Sequence, residues 1–431
     1  NQATTLKQFA EFAWTFLPKD RAPYPGERFY CPQQAETLEE IASTKGESFM
    51  VSPITAMSWA RQAPSFKDMS EFCWTFLPKD RAPFPGERFY CPQQAETLED
   101  IAATKGESFY RGTLAERIAL ASRSDEGAMT AEDLAQHKCD WVDPISVEYR
   151  GYRLHEMPPN GQGIAALIAL GILRHHDVAA LPADSADSLH LQLEAMKLAF
   201  ADTWRHVTDP AAMEVTPAQM LDDAYLASRA KAIDMKRASD PVAGIPEGGG
   251  TIYLTTADER GMMLSFIQSN YMGFGSGVVV PGTGISMQNR GAGFTLKRGH
   301  PNDVGPRKRP FQTIIPGFLT RDGQPVMSFG VMGGNMQPQG HLQMIVRLAD
   351  YNQNPQACSD APRWIVNPDF SVSVEDEVPA AVKEELARRG HRIVPSDRPQ
   401  FGFGGAQLIH RLDDGYCAAS DHRKDGCAIG F

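Results

Sequence analysis

Gly248-Gly249-Gly250-Thr251-Ile252-Tyr253-Leu254-Thr255-Thr256, followed by the turn Asp258-Glu259-Arg260-Gly261, is the most informative segment of the chain. Glycine reaches backbone conformations closed to other residues, so the triple glycine is a pliable lead-in. The Thr/Ile/Tyr/Leu run has β propensity, so residues 251–257 read as a buried strand with a threonine at its first position. Cleavage of the Gly250–Thr251 bond would leave a hydroxyl and a free α-amine on one residue. That amine, with an ordinary pKa of roughly 7.7–8.0, can take the proton of the hydroxyl and turn it into a nucleophile. The same nine residues also describe a glycine-rich loop entering a hairpin, and the rest of the chain must separate the two readings.

Downstream, the texture is of antiparallel hairpins. Residues 251–257 and 262–268 flank the Asp258–Gly261 turn. Phe311–Leu319 and Val326–Gly330 surround Arg321-Asp322-Gly323, and Gln407–Leu412 and Tyr416–Ala419 surround Asp413-Asp414-Gly415. Met332-Gly333-Gly334-Asn335 leads to a predicted helix near His341–Leu348. Gly273-Phe274-Gly275-Ser276-Gly277 has no following Lys-Ser/Thr, so it is not a phosphate loop. Upstream, Ile145 to Leu154 alternates like a strand around Arg150-Gly151. The run Ile164 to Leu173 is so continuously apolar that its helix must lie between layers. A second helix spans Leu189 to Trp204, and Thr130-Ala131-Glu132-Asp133-Leu134 is a capped helix start. His175 and His176 read as solvated residues at a helix end, where a cation suits the dipole. Residues 239–250 are a Pro/Gly-rich linker. Helices first and hairpins later imply an α+β fold of sheets covered by helices.

At 431 residues, with 42% hydrophobic and 22% charged residues, the chain can bury a substantial core. Its net charge of −11 is dispersed, with no basic stripe, which argues against nucleic acid as a partner. No apolar run approaches the roughly 20 residues of a membrane span. Residues 11–50 and 71–110 are nearly identical, differing at Ala13/Cys73, Tyr24/Phe84, Glu40/Asp100, Ser43/Ala103 and Met50/Tyr110. Two close copies without a third indicate a duplication, not a solenoid, and residues 1–50 are read as an extra copy of 61–110. Cysteines 31, 73, 91, 139, 358, 417 and 427 form no CxxC pair and no metal-type Cys/His spacing. The odd count and the lack of a signal pattern favour a cytoplasmic location; because position 1 is not Met, a periplasmic one stays open.

An ordered series of segments resembles the γ-glutamyltransferase family of N-terminal-nucleophile hydrolases. It comprises Phe109-Tyr110-Arg111-Gly112, Thr130–Leu134, Pro144-Ile145 with Tyr149-Arg150-Gly151-Tyr152, and Met157-Pro158-Pro159. It continues through Glu194-Ala195-Met196-Lys197 with Ala201-Asp202, Gly305-Pro306-Arg307-Lys308-Arg309-Pro310, and Gly333-Gly334. It ends with Ala361-Pro362-Arg363 and Ala419-Ser420-Asp421-His422-Arg423. The resemblance covers roughly residues 51–431 and implies a four-layer αββα sandwich, incomplete at its N-terminus. The precursor would cut itself into a large-subunit-like region (51–250) and a small-subunit-like region (251–431) that stay together as a heterodimer. By resemblance Thr251 is the nucleophile, Ser269 supports it, and the backbone N–H groups of Gly333 and Gly334 form the oxyanion hole. The substrate would be a small amide or peptide, and no metal or organic cofactor is implied.

The departures from the family concern substrate choice. Gln288-Asn289-Arg290-Gly291-Ala292-Gly293 contains no acid where the family places a carboxylate for the substrate ammonium. Gln312 and Thr313 replace the paired serines that hold the substrate carboxylate, and Tyr271 stands where a small polar residue is usual. A pocket of Tyr271, Arg290, Gln312 and Thr313 would repel an ammonium and suits an acyl group that carries a carboxylate without one, as in glutaryl amides. Much of the family's N-terminal segment is also missing, together with its carboxylate-binding arginine, so a catalytically inactive, truncated member is the alternative expectation.

Overall fold

The computed structural model describes residues 48–239, 250–395 and 400–430. Residues 1–47, nearly all of the first duplicated copy, and 240–249 of the predicted linker lie outside these residues. The described residues form two compact units, 48–138 with 277–286, and those of 139–276 with those of 287–430.

The first unit pairs a short strand β1 (Ser48–Met50) antiparallel with β2 (Arg88–Tyr90). Helices α1 (Pro53–Gln62), α2 (Ser70–Phe76), α3 (Pro92–Ala103), α4 (Glu107–Arg111), α5 (Thr113–Ser124) and α6 (Ala131–Ala135) complete it. Trp59, Phe72, Phe76 and Phe89 form its aromatic centre, with Trp59 and Phe89 ring centroids 4.8 Å apart. Among the described residues, polar contacts hold 277–286 there. Gly282 N–H donates to Glu71 Oε1 (3.0 Å), Thr97 Oγ1 donates to Thr283 O (2.8 Å), and Arg117 donates to Pro281 O (2.7 Å). The predicted cap of α6 is present as a reciprocal Thr130/Asp133 box.

The second unit is built on a six-stranded antiparallel sheet in the order β12-β11-β8-β7-β4-β3. Its strands are β3 (Ile145–Tyr149), β4 (Tyr152–Glu156), β7 (Gly317–Arg321), β8 (Gln324–Met332), β11 (Gly405–Leu412) and β12 (Gly415–Ser420). A separate hairpin, β5 (Gly250–Ala257) with β6 (Met263–Tyr271), packs against β8. Helices α7 (Gly163–Leu173) and α8 (Ala186–His206) are followed by α9 (Pro217–Met220), α10 (Asp223–Ala230) and α11 (Met336–Ala349). Every residue of α7 is buried, as its unbroken apolar sequence requires. Helix α12 (Pro355–Asp360), strands β9 (Trp364–Val366) and β10 (Val372–Val374) and helix α13 (Ala380–Arg388) lead to β11.

Strand β8 explains the layering. Successive side chains of a strand point to opposite faces, and from Met327 to Met332 both faces of β8 are buried. Phe329 and Val331 face α11: the Phe329 ring lies 4.7 Å from the His341 ring, and Val331 lies over Gly340. Ser328 and Gly330 face the hairpin: Ser328 Oγ hydrogen-bonds Thr255 Oγ1, and the Tyr253 ring covers Gly330, where a Cβ would come within 2.5 Å of it. The opposite face of the hairpin, carrying Ile252, Leu254, Leu264 and Phe266, is exposed.

Three expectations are corrected, the first being the buried strand at 251–257, in which only Tyr253 is buried and Ile252 and Leu254 are exposed. Phe311 to Pro316 is not a strand; β7 begins only at Gly317, and the segment's contribution is one isolated parallel bridge between Gln312 and Gly161. His175 is exposed, but His176 is half-buried, its Nε2 has no hydrogen-bond partner among the described residues, and burial lowers its pKa.

Buried ion pairs close the C-terminal end. Arg363 pairs with Asp421 (2.5 Å), Arg423 pairs with Glu375 (2.5 Å) and Asp421 (3.2 Å), and Ala406 N–H donates to Asp421 (2.7 Å). Burial works to raise the Asp421 pKa, but Arg363 and Arg423 outweigh it and hold the carboxyl at about 2. A depressed folded-state pKa contributes stability that is fully present above the ordinary value of 3.8 and is lost as pH falls toward about 2. Asp421→Asn leaves two arginines underpaired and should cost about 3–5 kcal/mol at neutral pH. In urea unfolding, its deficit relative to the unmodified chain should shrink between pH 4 and pH 2.

Candidate active site

The hairpin places Thr251 opposite a bulge. Gly250 pairs with Tyr271 and Ile252 with Gln268, so the single residue Thr251 faces two, Ser269 and Asn270. A bulge of this kind re-aims side chains at the end of a ladder. Here Thr251 Oγ1 donates to Ser269 Oγ at 3.3 Å, and Ser269 Oγ also accepts the Tyr271 N–H at 2.8 Å. Tyr271 has φ of +81°, a region that a bulky side chain occupies only at a cost of about 1–3 kcal/mol.

Gly333 and Gly334 follow β8 directly, at φ of +125° and +61°. Left-handed backbone of this kind suits glycine. Their carbonyls accept the first amides of α11: Met336 N–H donates to Gly333 O and Gln337 N–H to Gly334 O, both at 3.1 Å. The bond to Gly333 O orients the peptide plane that carries the Gly334 N–H, and the N–H groups of Gly333 and Gly334 have no backbone acceptor among the described residues.

Two glutamines absent from the sequence expectations connect these parts. Gln162, fully buried at the start of α7, donates through Nε2 to Thr313 O (2.6 Å) and Gly334 O (2.9 Å). Gln337, also fully buried, accepts the Ile315 N–H (3.1 Å) and donates to Thr251 Oγ1 (3.4 Å). One turn later on α11, His341 Nε2 accepts the Val331 N–H at 3.3 Å, which leaves the ring proton on Nδ1 to donate to Glu156 Oε1 at 2.5 Å. Burial raises the Glu156 pKa, against the lowering effect of His341. Nothing local distinguishes such glutamines in a sequence; a buried amide is recognised only by the backbone groups it satisfies.

Tyr271, Arg290 and Thr313 come together. Arg290 is buried, its Nη1 donates to Thr313 Oγ1 (2.8 Å), and its guanidinium carbon lies 5.0 Å from the centroid of the Tyr271 ring. Its Nη2 has no partner among the described residues. Burial lowers its pKa to about 10, so it stays cationic at neutral pH. Gln312 contributes differently from the other three: its backbone pairs with Asn160 and Gln162, and its side-chain oxygen accepts the Thr313 N–H at 3.1 Å. A cavity of about 340 Å³ lined by Pro144, His155, Met157, Ser265 and Phe318 includes none of the sequence-expected site residues.

Among the described residues, His190, Glu194 and His391 lie close enough together to hold a metal ion. Hydrogen bonds already account for much of this group. His190 Nε2 donates to Asp234 O (2.9 Å), so its Nδ1 accepts from His391 Nε2 (2.7 Å). The Lys197 ammonium lies 3.1 Å from Glu194 Oε1, where a metal cation would meet like charge. No helix among the described residues is long and apolar enough to cross a membrane.

The sequence profile of the gamma-glutamyltranspeptidase family matches residues 46–431. The glutathione hydrolase-like YwrD proenzyme of Bacillus subtilis is 34% identical over 363 residues, covering 83% of this chain and 69% of that protein. The oxamate amidohydrolase proenzyme of Klebsiella pneumoniae is 34% identical over 388 residues, covering 88% and 73%. Among solved structures, cephalosporin acylase from Bacillus halodurans superposes with a TM-score of 0.84 at 46% identity, covering 89% of this chain and 72% of that one.

Gln162→Leu tests the first glutamine. Thr313 O would lose its buried donor, whereas Gly334 O would keep the Gln337 N–H. An unsatisfied buried carbonyl costs about 1–3 kcal/mol, and urea unfolding at neutral pH should show a loss of that size.

Proposed function

We propose, for a chain that belongs to the gamma-glutamyltranspeptidase family, that it is a self-cleaving amide hydrolase acting through Thr251. The observation that carries this reading is the position of Thr251. It follows a glycine, lies at the end of a strand opposite a bulge, and has its hydroxyl against Ser269 and Gln337. In the precursor, Thr251 Oγ attacks the Gly250 carbonyl carbon. The C–N bond breaks as the C–Oγ ester forms, which frees the Thr251 α-amine, and water then hydrolyses the ester to the Gly250 carboxylate and the Thr251 hydroxyl. In turnover, the amine takes the Oγ proton as Oγ attacks the substrate amide, and the proton passes to the leaving amine. Water then hydrolyses the acyl ester and regenerates Thr251. Gly333 and Gly334 N–H groups donate to the oxyanion. The proenzyme names of the Bacillus and Klebsiella relatives agree with a processed chain of two associated parts. The helices on one face of the six-stranded sheet and the hairpin on the other support three successive layers, αββ, of an αββα sandwich.

For the acyl group, we read the pocket as a carboxylate site without an ammonium site. Arg290 supports this, since its buried, unpartnered Nη2 is a cationic donor beside the hydroxyl of Thr313. A buried guanidinium calls for an anionic partner. Oxamate, in the name of the Klebsiella relative, is an amide whose acyl part ends in a carboxylate, and the acylase name of the Bacillus halodurans neighbour also fits amide hydrolysis.

The purified chain should run as two fragments on a denaturing gel, with Thr251 at the N-terminus of the smaller; Thr251→Ala should run as one. An uncut chain before any substitution would overturn the reading, and with it favour an inactive member. A glutaryl anilide should be hydrolysed faster than a γ-glutamyl anilide, which differs only by the α-ammonium. Arg290→Met should lower kcat/KM for the glutaryl substrate by about 10²-fold, the weight of roughly 3 kcal/mol for a buried charged hydrogen bond.

A further inference from the structure

We infer that Gln337 is a catalytic hydrogen-bond donor to the Thr251 oxygen, acting in self-cleavage as well as in turnover. The inference rests on the reading of Thr251 as the nucleophile and adds a residue to it. The side chain of Gln337 is wholly enclosed, so both ends of its amide need partners within the protein. Its orientation is fixed from one end. The Ile315 N–H can only donate, so the group 3.1 Å from it is Oε1, and the NH₂ group is turned toward Thr251 Oγ1 at 3.4 Å. Thr251 in turn donates to Ser269 Oγ, which also accepts the Tyr271 N–H. The hydroxyl proton of Thr251 therefore points at Ser269, and Gln337 faces the oxygen from another side.

This geometry matters most before the chain is cut. While Thr251 is still joined to Gly250, its nitrogen is an amide and cannot serve as a base. The oxygen that attacks the Gly250 carbonyl must build up negative charge as its proton departs, and a pre-oriented N–H aimed at that oxygen stabilises the charge without reorganisation. After cleavage the same N–H faces the same oxygen in each acylation. The helix position supports the role: Gln337 lies in the first turn of the fourteen-residue α11, and the positive end of the helix dipole favours an anion there. His341, one turn later, is hydrogen-bonded to β8 through Val331 N–H and to β4 through Glu156, so α11 is held to the sheet just behind Gln337.

Two variants test this. Gln337→Met keeps the volume but has no donor; self-cleavage and kcat should each fall by about 10²-fold, in line with loss of one oxyanion donor, while KM stays within twofold. Gln337→Glu keeps the acceptor for Ile315 and remains close in shape, so it should fold even where the methionine variant does not. As a carboxylate it cannot donate and opposes charge on Oγ; once protonated it can donate. Its rate relative to the unmodified chain should therefore rise as the pH is lowered from 8 to 5. A purely structural glutamine would give lower melting temperatures with a relative rate independent of pH. Cleavage and kcat of either folded variant at the unmodified level, or a flat ratio for the glutamate variant, would overturn the inference. Thr251→Ala is run alongside: if that chain still separates into two fragments at Gly250, the nucleophile reading itself fails, whatever Gln337 does.

Discussion

The arrangement of the second unit depends on one constraint, that β8 must bury both of its faces. A strand in this position cannot alternate apolar with polar; it must alternate according to what each layer will tolerate. On the helix side, Phe329 and Val331 fill the space toward α11. On the other side, Ser328 and Gly330 are small enough for β5 to approach closely, and the Tyr253 ring rests where any side chain at 330 would stand. Contact between Tyr253 and Gly330 indexes the hairpin against the sheet. Thr251 is two residues from that contact on one strand, and Gly333 is three residues from it on the other. Both halves of the site are thus measured from the same point.

The parts of this that the sequence reveals are those with local causes. The hairpin turns, the capped helix at Thr130, the continuous apolar helix at 164–173 and the glycine pair at 333–334 all announce themselves through turn chemistry or periodicity. Phe311 to Pro316 misled because aromatic and β-branched residues suggest a strand, although prolines bracket the segment at 310 and 316. Its backbone instead serves the site, through Gln312 and Thr313, and Ile315 N–H holds Gln337. Gln162 and Gln337 were illegible, because what distinguishes them is a set of backbone partners remote in sequence. Arg290, by contrast, was legible as a missing acid and an added cation.

The segments that carry the family resemblance divide between chemistry and scaffolding. Gly333-Gly334 falls within the proposed site. Arg363, Asp421 and Arg423 form the buried ion cluster with Glu375, Glu194 pairs with Lys197, and Asp202 pairs with Arg229. Breaking one partner of a buried pair is costly even where the pair itself adds little, so such residues mark a fold more reliably than they mark a reaction. This is why the family could be read from motifs distributed over the chain, whereas the proposed acyl preference rests on a few residues around Arg290.

The hairpin is asymmetric in its surroundings. One face is packed on β8, while Ile252, Leu254, Leu264 and Phe266 on the other face water. Elements with less buried apolar contact open at lower free energy than the core around them. Backbone amides of β5 and β6 should therefore exchange with deuterium sooner than those of β8 and β11, which are enclosed within the sheet. The residue read as the nucleophile thus sits on a ladder with one face packed and the other open to water.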